Sequence, residues 1–206
     1  MAKKIDPAVT AQLTDAVREL EQRSCAEVVI EIRSRSGSYS HADARFASLL
    51  AFLGLLVLLF SPWSFRPGWV AVDVALVWLL GLFIARKNDT VRRFMTTERE
   101  RVTQARQIAS AAFHDRGVAN TAGETGVLVF LSQLEGHIEL LADRAVLQGV
   151  PSLEWNRVAA LAHGRHATTE TLLEVVRELT PLLERCIPIK EGDVDELCNV
   201  PRFESE

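Results

Sequence analysis

Three carboxylates stand where this chain could gather a hard cation: Glu27, Glu135 and Asp143. Glu27 opens a short β-branched run, Glu135 sits in the turn between two apolar runs, and Asp143 closes the second of them. Carboxylates at strand ends can converge on calcium or magnesium, ions that take oxygen ligands. All three are catalytic candidates on that reading, and Asp143 and Glu135 are the metal candidates. The same positions suit solvated turn residues or helix-capping partners. Arg33, Thr121 and Glu135 can form a polar cluster beside a sheet, or a structural ion pair.

Other reactive side chains are placed less tellingly. His163 and His166 lie three apart in HGRH, within reach on one helical face, but a helix terminus in solvent explains them as well. Cys25 stands at a helix–strand junction without a basic partner in any motif, which fits packing better than nucleophilic use. GxSxG, HExxH, phosphate-loop and dinucleotide patterns are all absent from the sequence.

The elements that must carry these residues follow from periodicity. Asp6-Pro7 starts a helix, with a capping carboxylate ahead of proline at the first helical position. Val9, Leu13, Ala16, Val17 and Leu20 recur on its inner face, and it stops near Arg23-Ser24. EVVIEIR, residues 27–33, reads as a strand, and SRSGSYSHAD as a polar connector. A long helix is expected over 88–115, closed by Gly117 as a left-handed cap. GVLVFLS, 126–132, is a central strand covered on both faces. A turn at 133–136 leads to an adjacent antiparallel strand, HIELLAD, at 137–143. Helices follow over 151–163, with Trp155 as a core or half-buried anchor, and over 168–186, and the tail KEGDVDELCNVPRFESE is loop-like. A lone strand near residue 30 is unstable by itself, so it must pair with the strands after residue 126.

Between these pieces lies a different composition. Residues 47–85 carry only Arg66 and Asp73 as charges, against seven basic and seven acidic side chains in 1–46. Phe46–Phe65 is free of charge for 20 residues, and Pro67–Ala85 continues for 19 with Asp73 alone. Each stretch matches the roughly 30 Å of bilayer hydrocarbon. The joining stretch FSPWSFRPGW holds Pro62, Pro67 and Gly68, which break helices. Its Trp63, Phe65 and Trp69 suit the headgroup level, and Arg66 can project into water. A two-helix transmembrane hairpin over 46–86 is therefore expected. It interrupts one α/β domain made of 1–45 and 87–206.

Charge sets the orientation. Residues 86–116 carry eight basic and four acidic side chains, and 117–206 carry seven basic and fifteen acidic. Basic flanks at Arg45 and at Arg86, Lys87, Arg92 and Arg93 place both termini in the cytoplasm of an inner-membrane, multi-pass protein. No secretory signal pattern opens the sequence, and three cysteines at unrelated spacing fit a reducing compartment. The acidic carboxyl-terminal part excludes nucleic acid as a partner, since phosphate contacts need Lys and Arg. Asp73 is either an ion, proton or pairing site within the span, or a carboxylate reaching water about a turn and a half from Pro67.

SCAEVVIEIRSRSGSY, NTAGETGVLVFLSQLEGHIELLADRAV, VPSLEWNRV and DVDELCNVP, in that order, resemble the TPM-domain family over nearly the whole chain. The family is named for a thylakoid lumen protein, a photosystem repair factor and a modulator of an acetylcholine-receptor channel. The sequence looks most like its bacterial membrane-protein branch, in which a helical hairpin interrupts the domain after the first strand. The resemblance implies an α/β/α sandwich with a small mixed sheet. It also implies one of two activities: acid phosphatase action with a divalent metal held by acidic residues near the sheet edge, or assistance in assembling and repairing membrane complexes. The sequence departs from the soluble branch in one place. Asp143 comes early, and Val150-Pro151-Ser152 stands where a later aspartate is expected. The expected function is a non-enzymatic binding or assembly accessory for other membrane proteins, held in the lipid bilayer. The alternatives are a metal-dependent phosphatase and a channel or transport accessory subunit with Asp73 in an oligomeric pore.

Overall fold

The computed structural model describes residues 6–62, 66–164, 167–190 and 196–204. The chain divides into two compact units. One joins Met1–Ser36 to Arg101–Glu206, and the other is Gly37–Glu100.

The first unit is mixed α/β around a four-stranded mixed sheet. Helix α1 (Pro7–Glu21) opens it, with the Asp6 carboxylate accepting from the Ala8 N–H at 3.0 Å as the N-cap. β1 (Glu27–Arg33) pairs parallel with β2 (Gly126–Ser132) along all seven residues, as the pairing argument requires. β3 (His137–Ala142) runs antiparallel to β2. A fourth strand, β4 (Arg202–Glu204), lies parallel on the free edge of β1, giving the order β3-β2-β1-β4. The tail read as a loop therefore supplies an edge strand. Three residues with an exposed Phe203 carry too little alternation to be seen as one.

Alternation sends the two faces of the strands to different helices. Val28, Ile30, Ile32, Val127, Val129 and Leu131 pack with α1, with α7 (Ser152–Gly164) and with α8 (Thr169–Cys186). Val29, Leu128 and Phe130 meet the small residues Ala109 and Ala112 of α5 (Glu98–Asp115) on the other face. Trp155 is a partly buried member of the first cluster. Cys25 is buried at the helix–strand junction, between the Lys190 N–H and the Pro188 carbonyl. A short helix, α6 (Arg144–Gly149), follows β3 directly, so the strand ends one residue earlier than its apolar pattern suggests.

The second unit holds α2 (Ser40–Phe60) and α3 (Pro67–Lys87), each 21 residues and each long and apolar enough to cross a membrane. Only 17% and 11% of their most apolar windows are buried, unlike a soluble core helix. They run antiparallel: Ala47 meets Gly81, and Gly54 meets Val77. Helix α2 starts at Ser40 rather than 46, because the polar residues SHADAR form its first turns and run into the apolar stretch without a break. Trp69 starts exposed on α3, while Trp63 and Phe65 of the expected aromatic belt lie outside the described residues.

The single helix expected over 88–115 is two helices, α4 (Asp89–Met95) and α5. Thr97 and Glu100 make a reciprocal capping box, 2.9 Å from the Thr97 N–H to the Glu100 carboxylate and 3.2 Å from the Glu100 N–H to the Thr97 hydroxyl. Inside this unit Asp43 and Arg92 form a buried fork, 2.9 and 3.0 Å apart. Hydrogen bonding to the Asp43 carboxylate raises the Arg92 pKa against the opposing effect of burial.

Candidate functional site

Strand register assembles a polar layer on the α5-facing side of the sheet. Glu31, Phe130 and Glu139 stand opposite one another on β1, β2 and β3, and Arg33, Ser132 and His137 form the next row. These rows lie at the carboxyl ends of the parallel pair, where open α/β sheets place their crevices.

Glu31 is fully buried, and two arginines hold it. Arg33 Nε donates to Oε1 at 2.6 Å and Arg116 Nε to Oε2 at 2.8 Å. Arg116 is presented by the turn after α5, where Gly117 takes the left-handed conformation with φ 74. Both guanidinium groups reach onward to Glu204: Arg33 Nη2 at 2.9 Å, and Arg116 Nη2 in close contact. Arg33 also lies 6.0 Å over the Phe130 ring. Burial by itself raises the Glu31 carboxyl, but the hydrogen bonds and charges of Arg116 and Arg33 outweigh it and hold it below the usual carboxylate range.

A second buried carboxylate sits beyond Phe130. Glu139 accepts from Arg106 Nε at 3.1 Å and pairs with His137 Nε2 at 2.8 Å. Burial again opposes ionisation, and His137 and Arg106 together bring the carboxyl below its ordinary value. At the end of the row Glu135 accepts from the Ser36 N–H at 2.9 Å and from the Ser132 hydroxyl, while Ser36 Oγ donates to Ser132 Oγ at 2.6 Å. Glu135 thus ties the β2–β3 turn to the segment leaving β1.

The three carboxylates singled out in the sequence do not converge. Glu27 and Asp143 lie at the amino end of β1 and the far end of β3, flanking Gly126 across one strand on either side. Glu135 lies at the opposite end of these strands, ~20 Å away along a six-residue strand. Glu27 Oε2 accepts the Leu197 N–H at 3.2 Å. Asp143 caps α6 through the Arg144 N–H at 2.7 Å, and its Oδ2 is shut off from solvent with no hydrogen-bond partner among the described residues. No group of three metal-ligating side chains occurs among the described residues. Thr121 joins neither Arg33 nor Glu135, because its hydroxyl accepts the Thr125 N–H at the amino end of β2. His166 and the side chain of His163 lie outside the described residues. Asp73 is half-buried and lines an open hollow of about 410 Å³ with Gly54, Val57, Leu58, Val74, Leu76 and Val77.

The residues that sequence reasoning missed are Glu31, Glu139, Arg106, Arg116 and Glu204. A signal existed for the first two: a carboxylate inside EVVIEIR and another inside HIELLA, each on an otherwise apolar stretch, needs a cation. The layer alternates carboxylate and guanidinium, with Arg33 and Arg116 each bridging Glu31 and Glu204 through separate N–H groups.

No protein-family model and no curated protein matches the chain. The fold is similar to the solution NMR structure of the BA42 protein from the psychrophilic bacterium Bizionia argentinensis, with a TM-score of 0.60. That likeness covers 99% of this chain and 98% of the other at 13% identity, and at such identity it speaks for the fold alone.

Proposed function

We propose that this chain is a TPM-like α/β/α domain anchored in the inner membrane by a transmembrane hairpin, acting by binding or assisting other membrane proteins rather than by catalysis. The observation that carries this is the exposure of α2 and α3. Phe52, Leu53, Leu59, Phe60, Leu79 and Phe83 all face outward from helices of spanning length. Surfaces of that kind mark contact with lipid or with another protein. The basic flanks support a hairpin with both termini cytoplasmic, and anchoring raises the effective concentration of the domain for partners in the same plane. The polar layer supports binding over catalysis, because Glu31, Glu135 and Glu139 all hold cations or backbone groups in place.

The test is site-specific crosslinking in native membranes followed by identification of the crosslinked proteins. Integral-membrane neighbours recovered with the intact chain, and lost when α2 and α3 are replaced by a soluble linker, are the expected result. Recovery of the chain in the soluble fraction overturns the membrane reading.

One observation favours a second reading, a metal-dependent phosphatase. The unpartnered, enclosed Oδ2 of Asp143 is an acceptor that a divalent cation such as calcium or magnesium can use. Phosphate release with magnesium, calcium or manganese, abolished by Asp143→Ala but not by a distant surface substitution, establishes it.

A further inference from the structure

The geometry points to a binding site for an extended acidic peptide along the outer edge of β1, which the chain's own segment 196–204 fills in cis. This deepens the binding function proposed above and rests on it. Odd-numbered residues of β1 turn their backbone groups toward β2, as the Glu27 N–H to the Thr125 carbonyl and the Gln133 N–H to the Arg33 carbonyl show. Even-numbered residues face the outer edge. There the Val28 N–H is taken by the Glu21 carboxylate at 3.0 Å, and the Ser34 N–H by the Glu204 carbonyl at 3.1 Å. The half of the edge near Ile32 is thus completed by a strand rather than by a side chain, with Ile32 opposite Phe203.

Charge selects what can lie on that edge. Arg33 and Arg116 present two cations to one buried anion, Glu31, and Glu204 is the second anion that balances them. With Glu204 withdrawn, a partly buried positive charge is left uncompensated, which is costly. Any strand replacing β4 must therefore bring a carboxylate opposite Arg33.

β4 is also the strand best suited to exchange. It has three residues against the seven of β1, and Phe203 remains 44% exposed. The segment leading into it is held by the buried Pro201, by the partial packing of Leu197, and by hydrogen bonds from the Leu197 N–H to Glu27 and from the Ala122 N–H to Glu196, among other contacts. Short edge strands of this kind open at a fraction of the global unfolding cost, and an extended partner adds in their place by main-chain pairing.

The experiment uses the full chain in lipid nanodiscs and a fluorescent synthetic peptide with the sequence of residues 196–204, Cys198 replaced by serine. Binding is followed by anisotropy, and edge opening by hydrogen exchange at the Ser34 amide. Glu204→Gln in the chain weakens the resident strand, so Ser34 exchanges faster and the peptide binds roughly tenfold tighter than to the wild-type chain. A peptide with Gln at the Glu204 position binds roughly tenfold more weakly. The proposal is overturned if the Glu204→Gln chain binds no peptide, if the Gln peptide binds equally well, or if the variant dimerises instead, which would assign the edge to strand exchange between copies. Loss of peptide binding with membrane crosslinks intact removes this site alone. Phosphate release dependent on Asp143 removes the binding function and leaves the peptide measurement to stand by itself.

Discussion

Replacing Glu31 with glutamine tests the ionic layer where it is most enclosed. The side chain has no solvent exposure and accepts two charge-assisted bonds, at 2.6 and 2.8 Å. Removing one partner of a buried ion pair costs about 3–5 kcal/mol. Arg33 and Arg116 each keep 21% of their side-chain exposure and retain Glu204, which brings the expected loss to about 3 kcal/mol. For a chain of this size that lowers Tm by about 6–12 °C. Scanning calorimetry of the full chain in nanodiscs, supported by hydrogen exchange along β1, reads the change.

The pH dependence gives a second readout with a definite sign. Glu31 is held below its ordinary value of 4.5, so the unfolded chain takes up a proton that the folded chain still refuses. Its contribution is therefore complete above about pH 4.5 and disappears as the pH falls through the lower folded value. The variant has no such contribution to lose. Its Tm deficit narrows as the medium is taken from about pH 5 to about pH 3. A deficit under about 2 °C, or one that is constant over that range, refutes the assignment of Glu31 as the buried hub.

Three further substitutions probe other joints of the molecule. Gly126→Ala forces a Cβ to within 2.0 Å of the Val118 carbonyl oxygen, so the 3₁₀ turn Val118–Asn120 must shift, and a loss of about 2 kcal/mol or more is expected in chemical denaturation. Gly81→Val places its Cβ 2.8 Å from the Ala47 Cα, spreading α2 from α3 and costing about 1–3 kcal/mol, measurable as a lowered thermal midpoint in nanodiscs. Asp143→Ala removes the cap of α6 and costs about 1 kcal/mol, with phosphate release unchanged from the wild-type chain if the chain works by binding.

Local pattern carried much of this molecule. The Asp6-Pro7 start, the β-branched run at 27–33 and the left-handed Gly117 follow from side-chain type at helical or strand spacing, and so do the two long apolar helices, although α2 begins six residues earlier than its apolar run. The pairing of β1 with β2 also followed, because an isolated strand cannot persist. The break at Thr97 has a local signal that the apolar periodicity masks: TTERE contains the hydroxyl–carboxylate spacing of a capping box.

What only the tertiary structure decided is which charges meet. Arg116 and Glu31 are 85 residues apart in sequence, and Arg116 and Glu204 are 88 apart. No periodicity encodes such a meeting, because it depends on strand order and on a short edge strand without an apolar signature. Carboxylates at strand ends suggest a shared cation from sequence alone, whereas the fold places Glu135 at the opposite end of the strands from Glu27 and Asp143. The sequence by itself determined most of the longer elements and the apolar pair, through short-range sterics and the water-avoiding pattern of side chains. The sheet's register determined the polar layer, since only it brings Arg33, Arg116 and Glu204 around a glutamate that water never reaches.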